Sequence, residues 1–385
     1  MTILLFILLF ILMFAGILYA IMMLAFTFKW LSVPVFEIEG KTPVTAITVI
    51  IPARNEKENI SMCLQNILSQ NYPQNLTEII VVDDNSTDNT VDLVEKIISG
   101  NPDRKISLLK LKDVSTTALF KKRAITEAVA VSTGKLIVTT DADCRMGNKW
   151  LSTIAEYYEL NQPKMLLAPV TFAEEKSVFE KLQTLEFIGY IGVSAAAVAM
   201  KNPLMCNGAN LAYERETFNA VGGYKHNDNL ASGDDVFLML KIKKMFPGDI
   251  HFLKSKEAIV ETFAQKKLND FFQQRKRWLS KRPGYNDFSV IGTALLVYAF
   301  NLFVVLGFLL SLFADGNSFL ILFAFLFLLK CFSDFVFLYP VAKFFGRREL
   351  LWWFLPEQVL VIFYVTLMGI IGTNGKYSWK GRELK

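Results

Sequence analysis

The chain has 385 residues, of which 52% are hydrophobic and 33 are Phe, and its formal net charge is +5. That hydrophobic share exceeds what is typical of soluble domains and points to membrane segments. Four Cys and two His without metal-ligand spacing argue against zinc and against a disulfide scaffold. The positive charge collects beside the apolar segments, which suits anionic lipid headgroups, and we expect no nucleic-acid partner.

The amino-terminal segment, residues 1–28, contains no charged side chain and is long enough to cross a bilayer core of about 30 Å. It lacks a small-residue cleavage site, so we predict a transmembrane helix and not a cleaved export signal. Residues 29–46, which include Pro34 and Pro43, are predicted to form a linker.

The middle of the chain alternates short apolar runs with amphipathic stretches. The predicted strands are 47–51, 78–82, 106–111 and 136–139, and the predicted helices are 60–68, 90–98 and 123–131. Strands that alternate with helices indicate a mainly parallel sheet built from βαβ units. We therefore predict an α/β domain at residues 47–265.

Polar loops follow three of these strands, at the end where open α/β sheets bind ligands. Their candidate residues are Pro52, Arg54, Asn55 and Glu56, then Asp83 and Asp84, then Asp141 and Asp143. Each of the first two loops also reads as a helix-capping turn. The last pair offers hard oxygen ligands that suit Mg²⁺ or Mn²⁺, although an isolated Asp-x-Asp is often a solvated turn. The succession of the three loops favours a ligand site.

The region from residue 47 to residue 282 resembles the catalytic domain of family 2 glycosyltransferases. The resemblance rests on Ile50–Glu56, Val82–Asp88, Lys121–Ile125, Asn207–Leu211, Val221–Tyr224, Ser232–Asp235 and Gln274–Trp278, in the family's order, with Phe120 in place of the usual glycine. It implies a GT-A fold, which is Rossmann-like with a mainly parallel sheet, flanked here by transmembrane helices. It also implies inverting transfer of a sugar from a nucleotide sugar, with UDP as the expected nucleotide.

The same resemblance implies roles for individual residues. Asp235, with Asp234 beside it, would be the general base; the alternative is that this pair caps a helix over 236–245. Asp143 and Asp141 would hold Mg²⁺ or Mn²⁺ at the donor diphosphate. Substrate contacts are expected from Pro52, Arg54, Asn55, Glu56, Asp83, Asp84, Lys121, Asp141, Gly208, Asn210, Gln274, Arg277 and Trp278.

The Gln-x-x-Arg-Trp motif at 274–278 is the most specific of these patterns. By resemblance, Gln274 and Arg277 would engage the donor diphosphate and Trp278 would stack on the acceptor. Residues 266–289 also fit a basic amphipathic helix at the membrane interface. Both descriptions can apply to the same helix.

Three apolar blocks follow, at 290–313, 319–341 and 350–371, and we assign 290–372 to the membrane. The basic residues Lys29, Arg347 and Arg348 and the basic run at 274–282 favour the cytoplasmic side. We therefore predict an integral protein of the cell (inner) membrane whose catalytic domain faces the cytoplasm. The last block has basic flanks on both sides and contains Pro356. It either re-enters the membrane, which leaves a basic tail at 373–385 in the cytoplasm, or forms a plain fourth span.

The acceptor is predicted to be a membrane lipid, because the apolar segments carry few polar groups from which to build a saccharide channel. The ending Trp379-Lys380-Gly381-Arg382 also resembles the tail of ceramide and hopanoid glycosyltransferases, and would bring Trp379 and Arg382 near the donor or the headgroup, or anchor the chain on anionic lipid. A processive polysaccharide synthase of the hyaluronan, cellulose or poly-N-acetylglucosamine type is the alternative. A non-catalytic scaffold is disfavoured, since a binding module needs no base.

Overall fold

The structure is a computed structural model that describes residues 2–112, 120–225, 232–281, 284–313, 317–371, 377–380 and 382–384. Its helices are α1 (Thr2–Ser32), α2 (Ile60–Leu68), α3 (Thr90–Ser99), α4 (Phe120–Val131), α5 (Trp150–Asn161), α6 (Val178–Ala199), α7 (Arg215–Ala220), α8 (Asp234–Met245), α9 (Leu268–Leu279), α10 (Phe288–Phe313), α11 (Ser318–Phe344) and α12 (Phe354–Ile371). Short 3-10 helices lie at Gln74–Leu76 and Arg348–Trp353. Gly381 and Arg282 lie outside the described residues.

The strands are β1 (Ile47–Ala53), β2 (Thr77–Asp83), β3 (Lys105–Lys110), β4 (Leu136–Thr139), β5 (Arg145–Met146), β6 (Met165–Leu167), β7 (Val170–Ala173), β8 (Leu211–Glu214), β9 (Ile250–Phe252), β10 (Val260–Phe263), β11 (Tyr377–Trp379) and β12 (Arg382–Leu384). The main sheet has the order β3-β2-β1-β4-β8-β6-β9, with β3, β2, β1 and β4 parallel and β8 antiparallel to both its neighbours. Strands β5, β10 and β7 form a second small sheet. The predicted α/β fold with a mainly parallel sheet is confirmed.

The first four predicted strands and the three helices between them lie within a few residues of their predicted positions, because buried Val and Ile runs alternate with amphipathic helices there. Helix α1 is longer than the uncharged segment 1–28. Its last turn is held by the catalytic domain, since Lys254 Nζ donates to the carbonyl oxygens of Trp30 (2.8 Å) and Val33 (3.0 Å). Burial lowers the pKa of Lys254 to about 8.

Five described segments are long and apolar enough to cross a membrane: Leu9–Ser32, Val178–Ala199, Phe288–Phe313, Ser318–Phe344 and Arg348–Ile370. The second is α6, which the sequence pattern did not single out. It is mostly buried, and its Gly189 and Gly192 lie against Leu338, Phe337 and Val341 of α11. Helix α6 therefore joins the catalytic domain to the apolar helices.

The carboxyl-terminal part differs from the predicted outline in two places. The helix expected at 266–289 ends at Leu279, and α10 begins at Phe288; Pro283 and Gly284 between them disfavour a continuous helix. Helix α12 is uninterrupted, because Pro356 lies in its first turn, where no intrahelical N–H is needed. The last block therefore contains no hairpin within α12.

Both flanks of this last block contact the catalytic domain. Before it, Arg347 Nη2 pairs with both carboxylate oxygens of Glu175 at 2.9 Å. After it, the β11–β12 hairpin places Lys380 in an ion pair with Glu56. This arrangement agrees with the predicted return of the tail to the catalytic side.

Candidate active site

The loops after β1 and β2 are fastened to each other at the carboxyl edge of the sheet. Asn55 Oδ1 accepts a hydrogen bond from the Thr87 backbone N–H at 2.8 Å. Arg54 Nη1 donates to the carbonyl oxygens of Asp84 (2.5 Å) and Asn85 (2.8 Å). These bonds hold the first two polar loops as one rigid wall of the site.

Lys121 links the Asp-x-Asp loop to the start of α8. Its Nζ lies 2.6 Å from Asp141 Oδ1 and 3.5 Å from Asp234 Oδ2. Burial alone would lower the pKa of Lys121, but the two carboxylates raise it well above its ordinary value. Gly208 lies beside this junction, where a Cβ would be 3.4 Å from both Lys121 Nζ and Asp234 Oδ2, an ordinary contact distance.

Asp235 is held at the amino terminus of α8 by the turn that precedes it. Gly233 has φ +88, and a Cβ at this position would lie 2.5 Å from the Phe237 ring, so glycine is required. Asp235 Oδ1 accepts from the Val236 N–H at 2.8 Å and from Lys281 Nζ at 3.1 Å. Gly233 is the N-cap residue, so the alternative in which Asp234 caps α8 is not what the structure shows.

The charges around Asp235 favour its ionised form. Burial alone would raise the pKa of Asp235, but Lys281 and Lys121 lower it below its ordinary value. A carboxylate kept ionised is in the protonation state that a general base requires.

Asp143 lies beside Asp141, and its surroundings disfavour its ionised form, in contrast to those of Asp235. Burial and the Asp141 charge raise the pKa of Asp143 to about 6. Nearby positive charge would offset this repulsion, and two adjacent hard oxygen donors fit Mg²⁺ or Mn²⁺. Within the described residues, no group of three or more His, Cys, Asp or Glu side chains that could hold a metal ion occurs.

These groups line a cavity of about 650 Å³, and two groups of its lining residues differ in chemistry, one charged and one apolar. The charged half is lined by Lys121, Asp141, Asp143, Gly208, Asp234, Asp235, Arg277, Lys281 and Lys380. The apolar half is lined by Phe172, Phe187, Tyr190, Ile191, Met205 and Trp278. We call these the charged half and the apolar half.

A smaller cavity of about 110 Å³ adjoins the charged half. It is lined by Pro52, Arg54, Glu56, Asp84, Lys121, Asp141, Asp143, Arg277 and Lys380. The structure thus brings together most of the residues predicted to contact the donor.

Helix α6 builds the wall of the apolar half. Phe187, Tyr190, Ile191 and Ser194 line the cavity, and their spacing of three and four residues places them on one helix face. The Phe187 ring stacks on Phe172 with centroids 4.3 Å apart. The face that carries Gly189 and Gly192 packs on α11, so the apolar half and the membrane-type helices share α6.

Helix α9 contributes the motif residues Gln274, Arg277 and Trp278 to the cavity lining. The Trp278 ring lies 6.4 Å from Phe187 and 6.2 Å from Tyr190 between ring centroids. Trp278 therefore belongs to the apolar half, whereas Arg277 borders both cavities.

Three predicted contact residues are placed differently. Asn210 is buried, and its side chain bonds Trp150 Nε1 (3.0 Å) and the carbonyl oxygens of Pro169 (2.8 Å) and Ala258 (2.7 Å), so the structure does not support it as a substrate contact. Asp83 is buried and accepts from the Ser86 N–H, and Asn55 joins the two loops. Neither lines the two cavities described above, so both help to shape the wall.

Two lysines of the site are not among the residues that the sequence predicts to contact substrate. Lys281 follows the Gln-x-x-Arg-Trp motif and had been assigned to the basic interfacial run. Lys380 lies at the hairpin turn, where Arg54 Nε donates to its carbonyl oxygen at 3.5 Å and its ammonium pairs with Glu56. The predicted return of the tail is a signal in the sequence that points to Lys380, although the residues that the resemblance singles out there are Trp379 and Arg382.

Two family patterns match the chain: "Glycosyl transferase family 2" over residues 48–222 and "Glycosyl transferase family group 2" over residues 136–368. A β-monoglucosyldiacylglycerol synthase of Nostoc sp. is 21% identical over 63% of this chain and 49% of its own length. A poly-β-1,6-N-acetyl-D-glucosamine synthase of Staphylococcus epidermidis is 23% identical over 61% of this chain and 54% of its own. The chain thus spans about half the length of these relatives.

One solved structure supports the fold. The mannosyltransferase PcManGT from Pyrobaculum calidifontis, in complex with GDP-Man and Mn²⁺, superimposes with a TM-score of 0.59 at 20% identity. The match covers 93% of this chain and 97% of that chain. It agrees with the predicted GT-A fold flanked by long apolar helices.

Proposed function

The chain belongs to glycosyl transferase family group 2, and from this premise we propose that it is an inverting, membrane-bound enzyme that transfers a sugar from a nucleotide sugar to a hydroxyl of a membrane lipid. The observation that carries the lipid acceptor is the division of the 650 Å³ cavity. One half holds the charges that a nucleotide diphosphate needs. The other is apolar and shares α6 with the membrane-type helices.

The donor is proposed to bind in the charged half and the adjoining small cavity. Arg277 and Lys380 would face the diphosphate, since guanidinium and ammonium groups form charge-assisted hydrogen bonds with phosphate oxygens. Pro52, Arg54, Glu56 and Asp84 line the small cavity, which suits the nucleoside. UDP remains the expected nucleotide.

Asp141 and Asp143 would hold a divalent ion beside the diphosphate. When bound, the ion would supply positive charge to the leaving group. Lys121, already paired with Asp141, adds a further positive charge on the same side. The metal proposal is supported by the two adjacent carboxylates, which both line the charged half.

Asp235 is proposed as the general base. The acceptor hydroxyl oxygen would bond to the anomeric carbon as the bond to the diphosphate oxygen breaks, and Asp235 would take the hydroxyl proton. Its lowered pKa and its ion pair with Lys281 support this role. Attack from the face opposite the leaving group gives inversion.

The membrane placement follows the basic residues. We propose that residues 1–28 and 290–372 are membrane regions, that residues 47–265 form the catalytic domain, and that this domain faces the cytoplasm of the inner membrane. Residues 266–289 would lie at the interface, with 29–46 as linker and 373–385 as the tail.

The test is a transfer assay on the purified full-length chain in lipid nanodiscs that contain host lipid extract and Mn²⁺ or Mg²⁺. Radiolabelled UDP-glucose, UDP-N-acetylglucosamine and GDP-mannose are supplied singly, and label is partitioned between organic and aqueous phases. One discrete labelled species in the organic phase supports the proposal. A size ladder would instead establish a processive synthase, the candidate that the poly-N-acetylglucosamine synthase relative favours. Absence of transfer from every donor, with UDP binding intact, contradicts both.

A further inference from the structure

Arg275 occupies the first unspecified position of the Gln-x-x-Arg-Trp motif, yet it is almost completely buried, at 3% exposed. Its Nη2 pairs with Glu186 of α6, which is 6% exposed. A buried charge pair of this kind is costly to desolvate and is weak evidence for stability alone. Because the pair lies within the motif, we consider a role for it in function and not only in stability.

The guanidinium contacts two motif residues at once. Its Nη1 donates to Gln274 Oε1 at 3.0 Å, and its Cζ lies 4.2 Å from the centre of the Trp278 ring. A planar cation at this distance from an indole ring attracts the ring and limits its rotation. Arg275 thus contacts both Trp278, in the apolar half, and Gln274.

The other side of Arg275 is fixed by the apolar helices. Its Cζ lies 4.4 Å from the Phe271 ring and 5.7 Å from the Tyr364 ring of α12. Tyr190 of α6 donates to Glu186 and lies 2.9 Å from the Tyr364 hydroxyl oxygen. Helices α6, α9 and α12 therefore meet at this one pair.

We propose that Arg275 is a positioning residue that sets the orientation of the Trp278 indole for acceptor binding, and that Glu186 of α6 holds Arg275 in place. The proposal rests on the proposed function, because it takes Trp278 as the residue on which the acceptor stacks. The packing of α6 and α12 would then influence acceptor binding through one buried ion pair, Arg275 with Glu186.

The first test is spectroscopic and uses the full-length chain in nanodiscs, labelled with 5-fluorotryptophan. The chain has six Trp, and Trp278→Leu assigns the resonance of interest. Arg275→Gln should shift or broaden the Trp278 resonance and leave the other five in place. Lys276→Gln, which removes a neighbouring charge on the same helix, is the matched control and should leave all six unchanged. An unaltered Trp278 resonance in Arg275→Gln overturns the proposal.

The second test is kinetic and uses host lipid extract diluted in phosphatidylcholine, with the radiolabelled nucleotide sugar that gives transfer. Arg275→Gln should raise the apparent KM for the extract about tenfold, with UDP affinity unchanged. The effects of Arg275→Gln and Trp278→Leu should not add, because both act on one contact. Additive effects would overturn the positioning role.

Two further comparisons distinguish failure of the positioning role of Arg275 from failure of the acceptor role of Trp278. If Arg275→Gln does not fold, Arg275→Lys keeps the charge opposite Glu186 but loses the planar fork, and a wild-type KM for the extract in that variant overturns the proposal. If Trp278→Leu itself leaves this KM unchanged, the acceptor role of Trp278 fails. If Trp278→Leu raises it and Arg275→Gln does not, only the positioning role fails.

Discussion

The charged half and the apolar half of the cavity are built in different ways. The charged half and the adjoining small cavity take Arg54, Glu56, Asp84, Asp141 and Asp143 from loops that directly follow parallel strands, so these five residues are set by local chain geometry. The apolar half is made by α6 and α9, whose positions depend on packing against α11 and α12. Under the proposed function, the donor site would lie beside an acceptor site lined by α6 and α9, so one scaffold could keep its donor chemistry while the acceptor differs.

Asp235, the proposed base, lines the charged half, and its loss should have the largest effect. Asp235→Asn is expected to reduce transfer by about 10²–10⁴-fold, because the amide cannot accept the hydroxyl proton. UDP binding, measured by calorimetry, should not change. Asp103→Asn, an exposed site, is the control. Full transfer by purified Asp235→Asn protein would remove Asp235 from the mechanism.

The metal proposal concerns the charged half alone. Asp143→Asn is expected to lower transfer roughly 10²-fold, since the leaving diphosphate would lose several kcal/mol of charge stabilisation. The Mn²⁺ concentration needed for half-maximal transfer, measured after treatment with EDTA, should rise. The exposed Asp92→Asn is the control. An unchanged Mn²⁺ response in Asp143→Asn would contradict the assignment.

Lys380 tests whether the tail completes the charged half. Lys380→Met should raise the KM for the nucleotide sugar about tenfold, the usual effect of losing one charged hydrogen bond. The apparent KM for the lipid extract should stay constant. Lys266→Met removes an exposed lysine and serves as the control. If the lipid KM rises instead, the tail belongs to the acceptor side.

Lys281 should show its effect in the pH profile. Its ammonium lowers the pKa of Asp235, so Lys281→Gln raises that pKa and moves the acidic limb of kcat/KM to higher pH. The base must be ionised, so the loss is greatest in acid and small at pH 8. Profiles that begin below the ordinary pKa of an Asp side chain, about 3.9, and extend to about pH 8.5 are compared with those of Lys276→Gln. Superimposable profiles would show that Lys281 does not tune the base.

Much of the fold was predictable because its signals are local. Strands β1, β2 and β4 are runs of buried aliphatic residues separated by amphipathic helices, and this pattern alone indicates a parallel sheet. Asp141 and Asp143 could be found because they directly follow β4. Asp235 was reached through family resemblance, and its pairing with Lys281 was not visible in the sequence.

The sequence by itself determined the α/β class, the apolar terminal segments and the carboxylates at the strand ends, because periodicity and strand-end loops depend on neighbouring residues. Only the tertiary structure decided that α6 lines the cavity, that the Asn210 side chain makes buried hydrogen bonds, and that Lys380 of the tail pairs with Glu56. The pair of Arg275 with Glu186 spans 89 positions. Contacts of that separation arise from helix packing, which no local pattern encodes.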